Sequence, residues 1–161
     1  PFGRYKGTKE PFDFLGFTFI CGASRQGGFL VKRKTRRDRM SAKLQEIKDE
    51  LRRRRHWPIP EQGQWLRQVV TGFFAYHAVP TNGAALSAFR YHVTDLWRRS
   101  LQRRSQRDRC TWKRMGKLVD AWLPQPRILH PWPQQRFAVK HPRWEPYAGV
   151  PHVRICAGGA R

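Results

Sequence analysis

The pattern of apolar and polar positions shifts from strand-like to helical near Thr35. Before that point, Phe12, Phe14, Leu15, Phe17, Phe19 and Ile20 form a dense, aromatic-rich apolar run. A polar, Gly-containing stretch from Cys21 to Gly28 interrupts it, and Phe29, Leu30 and Val31 resume β character. Two such runs around a Gly-containing loop predict a hairpin over residues 12–32. Gly16 inside the first strand predicts a bulge or a close backbone approach. A lone hairpin is marginal in water and needs a surface to pack on. From Thr35 to His56 the apolar positions are Met40, Leu44, Ile47 and Leu51, a narrow stripe at helical spacing. Thr35 or Ser41 is placed to cap this helix, and Trp57-Pro58-Ile59-Pro60 ends it.

A second helix is expected over 61–78, with the broad stripe Trp65, Leu66, Val69, Val70, Phe73 and Phe74 marking it as the most buried. Pro80-Thr81-Asn82-Gly83 breaks the chain. A third helix follows from about Ala84 to Gln106 on Leu86, Phe89, Val93, Leu96, Trp97 and Leu101. A fourth, from about Thr111 to Trp122, uses Met115, Leu118, Val119 and Trp122 and stops at Pro124. The remainder, with seven of the twelve prolines, is biased toward extended and turn conformations. It is expected to pack irregularly across the helices or to order only on RNA. The fold expected is thus mainly α: a short N-terminal β-hairpin, a bundle of three to four helices and an irregular Pro-rich tail. The divisions are 1–34, 35–123 and 124–161.

Charge changes the picture most. The chain has 33 Lys and Arg against 11 Asp and Glu, a formal charge of +22 on 161 residues. Self-repulsion of that size costs folding free energy, and a polyanionic partner relieves it. Neutralising phosphates also releases condensed counterions. A membrane is the weaker candidate partner, because no apolar run approaches the ~18 residues a spanning helix needs. Pro1 to Glu10 lacks the apolar segment of a signal peptide. Seven Trp, ten Phe and four Tyr are too many aromatics for a disordered basic tail. Cys21, Cys110 and Cys156 are odd in number and widely spaced, giving neither a disulfide framework nor a zinc half-site. A reducing, cytoplasmic setting fits them.

The candidate contacts are basic clusters. Lys32, Arg33, Lys34, Arg36 and Arg37 lead into the first helix; Arg39, Lys43 and Lys48 also lie on its outer faces but are not among the candidate contacts. Arg52, Arg53, Arg54 and Arg55 close it, where cations also complement the helix dipole. The third helix and its exit carry Arg98, Arg99, Arg103, Arg104 and Arg107, followed by Lys113 and Arg114. Few acids are interleaved, and the planar guanidinium suits bidentate phosphate contact and stacking on unpaired bases. Other chemistry finds no support. The acids are scattered, and the adjacent pair Asp49-Glu50 reads as ion pairing on a solvated helix face. No constellation suits two-metal catalysis. His77 and His92 read as satisfied histidines, and Cys110 has no His nearby in sequence. No cofactor or metal is expected. For Trp57, Trp112, Trp132 and Trp144 packing is the expected role.

Several motifs in order resemble the C-terminal part of bacterial group II intron-encoded reverse transcriptase/maturases. Phe14-Leu15-Gly16-Phe17 is similar to the strand near the end of their reverse transcriptase domain. Trp65-Leu66-Arg67 through Gly72-Phe73-Phe74-Ala75-Tyr76 resembles their maturase X, or thumb, domain, continued by Phe89-Arg90 and Leu96-Trp97. Arg127-Ile128-Leu129-His130-Pro131, Arg136-Phe137 and Cys156-Ala157-Gly158-Gly159-Ala160-Arg161 resemble the end of bacterial members. The resemblance covers nearly the whole chain. It implies that 1–34 is the end of a palm, 35–123 a thumb, and 124–161 an extension. It also implies a module that binds group II intron RNA, or other structured RNA, and assists folding and splicing in a bacterial ribonucleoprotein. In this reading Phe14, Leu15, Gly16, Phe17, Gly72, Tyr76 and Trp97 are motif positions with structural roles.

The family is an RNA-directed DNA polymerase, and its Tyr-x-Asp-Asp turn does not occur in this sequence. No polymerase activity is therefore expected of the chain alone. The alternative is a non-catalytic fragment or split subunit, partnered by a chain with fingers and palm. A dimer formed through orphan strands is a further expectation.

Overall fold

A computed structural model describes residues 10–24, 26–104, 110–132 and 135. The chain divides into two units, residues 1–131 and 132–161. Of the second, only Trp132, 43% exposed, and Gln135 are described. Arg107, Arg136, Phe137, Trp144 and the closing Cys156–Arg161 motif lie outside the described residues.

The first unit is a three-stranded antiparallel sheet followed by four helices. The strands β1 (Phe12–Phe14), β2 (Phe17–Ala23) and β3 (Phe29–Thr35) lie in that order. What the apolar run suggested as one strand is two. Phe14 pairs with Phe17, leaving Leu15 and Gly16 as a two-residue turn with φ of 46° and 79°. Two successive positive φ values match the twist of a tight hairpin, so Gly16 makes a turn and not a bulge. The pairing puts Phe12, Phe14, Phe17 and Phe19 on one face, where Phe12 and Phe19 stack with centroids 5.0 Å apart.

The sheet docks on the join between the second and third helices. These are α2 (Ile59–His77) and α3 (Gly83–Gln102). Phe17, 7% exposed, lies against Tyr76 and His77 with centroids 5.6 and 5.1 Å away. The Tyr76 hydroxyl donates to the Leu15 carbonyl at 2.6 Å. Along the outer edge of β3, the Arg33 N–H donates to Thr81 Oγ1 (2.8 Å), which donates in turn to the Arg33 carbonyl (3.2 Å). Asn82, 1% exposed, accepts the Thr35 N–H (2.9 Å) and donates to Thr35 Oγ1 (2.7 Å) and the His77 carbonyl (2.8 Å). These side chains occupy an edge that would otherwise template pairing with another chain. Thr81 reaches it at φ 76°, an outlier for a β-branched residue. Holding such a conformation costs on the order of 1–3 kcal/mol. Its hydroxyl's two bonds to β3 are what that conformation secures.

Helix α1 (Arg37–Arg53) starts without a side-chain cap. Thr35 is engaged by Asn82, so neither it nor Ser41 fills that role. Arg36 stands at the cap position and pairs with Asp38 (2.7 Å) and Asp13 (3.4 Å). Helix α4 (Trp112–Trp122) is capped by Thr111, whose hydroxyl accepts the Arg114 N–H. The core joins Ile47 and Leu51 of α1, Leu66, Val70, Phe73 and Phe74 of α2, Leu86, Phe89, Val93 and Trp97 of α3, and Met115 and Val119 of α4. Phe73 and Phe89 stack at 3.7 Å. Helices α2 and α4 approach closely where a glycine permits it: a Cβ on Gly63 would lie 2.6 Å from the Trp122 ring. The motif glycine Gly72 is exposed, with nothing within 4 Å of such a Cβ. The first part of the tail packs back on α2. Leu129 and His130 donate their N–H groups to the Ala78 carbonyl (3.0 and 3.1 Å), and His130 Nε2 lies 2.7 Å from the Ala75 carbonyl.

The two glycines predict opposite outcomes. Gly72→Ala gains helix propensity and is expected to stabilise by up to about 1 kcal/mol. Gly63→Ala drives a methyl into the base of a rigid indole and is expected to cost about 1–3 kcal/mol despite the same propensity gain. Urea denaturation of the two variants checks the sign of each. Burial of His77 lowers its pKa, so the unfolded chain binds a proton more readily than the folded one. Stability from this group is complete above the ordinary histidine value of about 6.5 and is lost as pH falls from there through the folded pKa. A His77→Gln variant is expected to show a flatter stability slope between about pH 7.5 and 5.

Candidate nucleic-acid interface

Gln62 is a polar residue fully buried among apolar ones, with 0% exposure. Its amide nitrogen donates to the carbonyls of Arg54 (2.9 Å), Arg55 (3.2 Å) and Trp57 (3.0 Å). Its carbonyl oxygen accepts the Trp97 indole N–H at 2.9 Å. The last carbonyls of a helix have no intrahelical partner. In α1 the Glu50 and Arg52 carbonyls are taken by the Arg54 and Arg55 N–H groups; Gln62 instead holds carbonyls of the turn that follows the helix, residues 54–57, and ties that turn to Trp97 on α3. Ser100 adds a second tie, donating to the Leu51 carbonyl at 3.3 Å.

With α1 and α3 held side by side, their basic faces meet. Lys48 and Arg52 lie one turn apart near the end of α1 and Arg55 in the turn that follows it, while Leu96, Arg99, Ser100 and Arg103 share one side of α3 and its exit. With Leu51 these line a groove of about 160 Å³ containing five cationic side chains and no acid. Arg99 is paired at its edge with Asp95 (2.7 Å), and Arg52 with Asp49 (3.6 Å). Lys48, Arg55 and Arg103 have no acidic partner among the described residues. The buried Nε of Arg55 has no hydrogen-bond partner there either. Clustered guanidinium donors without local carboxylates suit the bidentate acceptance of phosphate oxygens.

The groove gathers Arg52, Arg55, Arg99 and Arg103 from the residues expected to touch nucleic acid, and adds Lys48. Other expected contacts are spent within the protein. Arg54 donates to Glu50 (2.5 Å) and lies 4.6 Å from the Trp57 ring and 4.8 Å from that of Trp65. This guanidinium holds the Glu50 carboxyl below its ordinary pKa. Arg98 pairs with Asp95 (3.0 Å) and lies 4.5 Å from the Trp112 ring centre. Arg36 is held by its two aspartates, and Arg53 by Glu50 (3.3 Å). Lys32, Arg33 and Lys34 lie on β3, and Arg37 opens α1, all away from the groove lining. Arg104 donates to the Trp57 carbonyl (3.0 Å) and with Arg114 lines a separate cleft of about 550 Å³ beside Cys110. Lys113 is exposed on α4.

Among the motif positions, Leu15, Gly16, Phe17 and Tyr76 make the sheet-docking contact, and Trp97 is the buried partner of Gln62. Trp57 and Trp112, expected to pack, are 43% and 49% exposed. Sequence reasoning left Lys48 and Gln62 out of the site. Lys48 stands four residues before Arg52, a signal that was legible. The sequence around Gln62 does not mark its role, because it joins the turn 54–57 to Trp97, 35 residues away. Among the described residues no group of His, Cys, Asp or Glu could hold a metal ion, and no helix is long and apolar enough to cross a membrane.

Gln62→Leu fills the same space but strands the Trp97 N–H and the Arg55 carbonyl, each costing about 1–3 kcal/mol when buried unpaired, whereas the Arg54 and Trp57 carbonyls keep the Trp57 N–H and Arg104 as donors. The expected loss is about 2 kcal/mol or more, read as a lower midpoint in urea denaturation.

Compared with known proteins, the sequence matches no family model, no curated protein and no solved structure.

Proposed function

We propose that this chain is an RNA-binding module of the maturase thumb type. It binds group II intron RNA through the groove between α1 and α3 and assists its folding for splicing. The observation that carries the RNA-binding part is the convergence of Lys48, Arg52, Arg55, Arg99 and Arg103 in one groove without an acid. Two arginine clusters some 45 residues apart in sequence, each explicable alone as a solvated helix face, become one site. The chain's charge of +22 supplies long-range attraction to a polyanion, and the groove supplies the close contacts. The intron-specific part rests on the ordered motifs. The docking of the Phe14-Leu15-Gly16-Phe17 turn on Tyr76 gives two of them a shared physical reason.

A second reading makes the chain a non-catalytic subunit of a split RNA-directed DNA polymerase. It is favoured by the aromatic face of the sheet, where Phe12 and Phe14 are 56% and 57% exposed beyond the part that Phe17 docks. A chain bearing the fingers and palm, or a second copy of this one, would cover such a face.

Affinity for a structured intron RNA is expected to fall steeply between about 50 and 200 mM salt, in filter-binding measurements. Arg52→Glu with Arg103→Glu is expected to weaken binding at least about ten-fold and to reduce the log–log salt slope by about 0.9 for each phosphate no longer neutralised. The charge-matched control Arg67→Glu with Lys117→Glu, on exposed positions of α2 and α4, is expected to change affinity much less. Equal losses in both double variants would show that net charge, and not the groove, sets affinity.

A further inference from the structure

On the side of α3 away from the groove, two aromatic rings stand parallel in solvent. Tyr91 on α3 and Trp112, the first residue of α4, are 59% and 49% exposed. Their ring centroids are 6.1 Å apart and their planes 8° from parallel. Neither ring belongs to the buried core. The Arg98 guanidinium lies 4.5 Å from the centre of the Trp112 ring and is itself clamped by Asp95 at 3.0 Å, with 18% of its side chain exposed. The indole is therefore held in place from within the protein, while half of it remains in water.

These rings border a cleft of about 350 Å³ between α3, α4 and the segment that follows α4. Polar groups stand beside them. Arg90 reaches Asp120 at 3.4 Å across the cleft, and Gln125 lines its far side. The buried Nε of Arg90 has no hydrogen-bond partner among the described residues. The site thus combines a flat aromatic surface with a guanidinium donor, a carboxylate acceptor and an amide that offers both. That combination fits a nucleobase, which presents a π face for stacking and an edge of donors and acceptors. Asp120 is the one acid of the lining and is already matched by Arg90, so the strongly basic chain around it attracts a polyanion.

We propose that the Tyr91–Trp112 cleft is a stacking site for one unpaired base of an RNA strand. It is separate from the phosphate groove. Ser87, Tyr91, Thr94 and Arg98 fall on one side of α3 at its period of 3.6 residues, and Leu96, Arg99, Ser100 and Arg103 on the other. The groove reads backbone charge, which paired and unpaired RNA share. The cleft takes a base that pairing would hide.

The inference rests on the RNA-binding reading for the identity of its ligand, and one experiment separates the two. The full chain is titrated with an unstructured single-stranded RNA of about twelve nucleotides and with the same sequence as a duplex, at one salt concentration. Tyr91→Ala is expected to weaken single-strand binding about ten-fold and to leave duplex binding unchanged. Tyr91→Phe and Trp112→Phe, which keep a stacking ring, are expected to bind the single strand within about two-fold of the parent. Circular dichroism confirms that each variant is folded. Parent-like single-strand binding by Tyr91→Ala overturns the proposal, and so does an equal loss on both probes. Failure of the parent protein to bind either probe rejects the RNA-binding reading itself.

Discussion

The buried amide of Gln62 is the constraint on which the rest of the helical body depends. A side chain with no exposure must have its polar atoms satisfied, and this one is satisfied by two segments at once, the turn 54–57 and α3. It holds the turn that follows α1, stands near the start of α2 and fixes the Trp97 indole on α3. An apolar residue of the same volume could fill the space, but it would leave the relative placement of α1 and α3 to side-chain packing. Directional hydrogen bonds set that placement more narrowly. The groove inherits it, because Arg55 follows directly on a carbonyl that Gln62 holds, and Arg99 and Ser100 follow within three residues of Trp97.

The same geometry sorts arginines that look alike in sequence. In the run Arg52 to Arg55, α1 ends at Arg53 and the last two residues enter a turn, so the four side chains leave in different directions. Arg52 and Arg55 therefore reach the groove, Arg53 points elsewhere toward Glu50, and Arg54 lies against Trp57 and Trp65. Arg98 and Arg99 separate in the same way, one over Trp112 and the other in the groove. A basic cluster thus divides into cations that hold the fold and cations available to a partner. The acids follow this division. Glu50 and Asp95 each serve two arginines, which keeps the inward-turned cations neutralised.

Much of the architecture was legible in periodicity. The stripes Met40-Leu44-Ile47-Leu51 and Leu86-Phe89-Val93-Trp97 mark buried or partly buried faces, and the four helices fall within a few residues of where the pattern placed them. The hairpin turn at Leu15-Gly16 was harder to see, because a positive φ at a leucine is dictated by the pairing of Phe14 with Phe17 and not by local preference. Thr35 resembled a helix cap until Asn82, 47 residues away, supplied a competing partner. The site was half legible. The residue types and clusters were visible, but which arginines meet depends on helix adjacency and on a glutamine whose link to Trp97 spans 35 residues. The stacked pair Tyr91 and Trp112 was hidden for the same reason, 21 residues apart and on different helices.

The attachment of the sheet has a consequence for how the molecule opens. Its strands pair only with near neighbours in sequence, whereas its grip on the helices relies on Phe17, Tyr76, Thr81 and Asn82. One buried ring and a handful of hydrogen bonds are far less than what joins the four helices. An element held in this way is expected to open at a lower free energy than the helical body. Arg36 joins the sheet to α1 directly, with no intervening loop. Arg36, paired with Asp13 of the sheet and Asp38 of α1, is the joint about which such an opening would turn, and it would uncover the Tyr76 end of α2 while leaving the Gln62 contacts untouched.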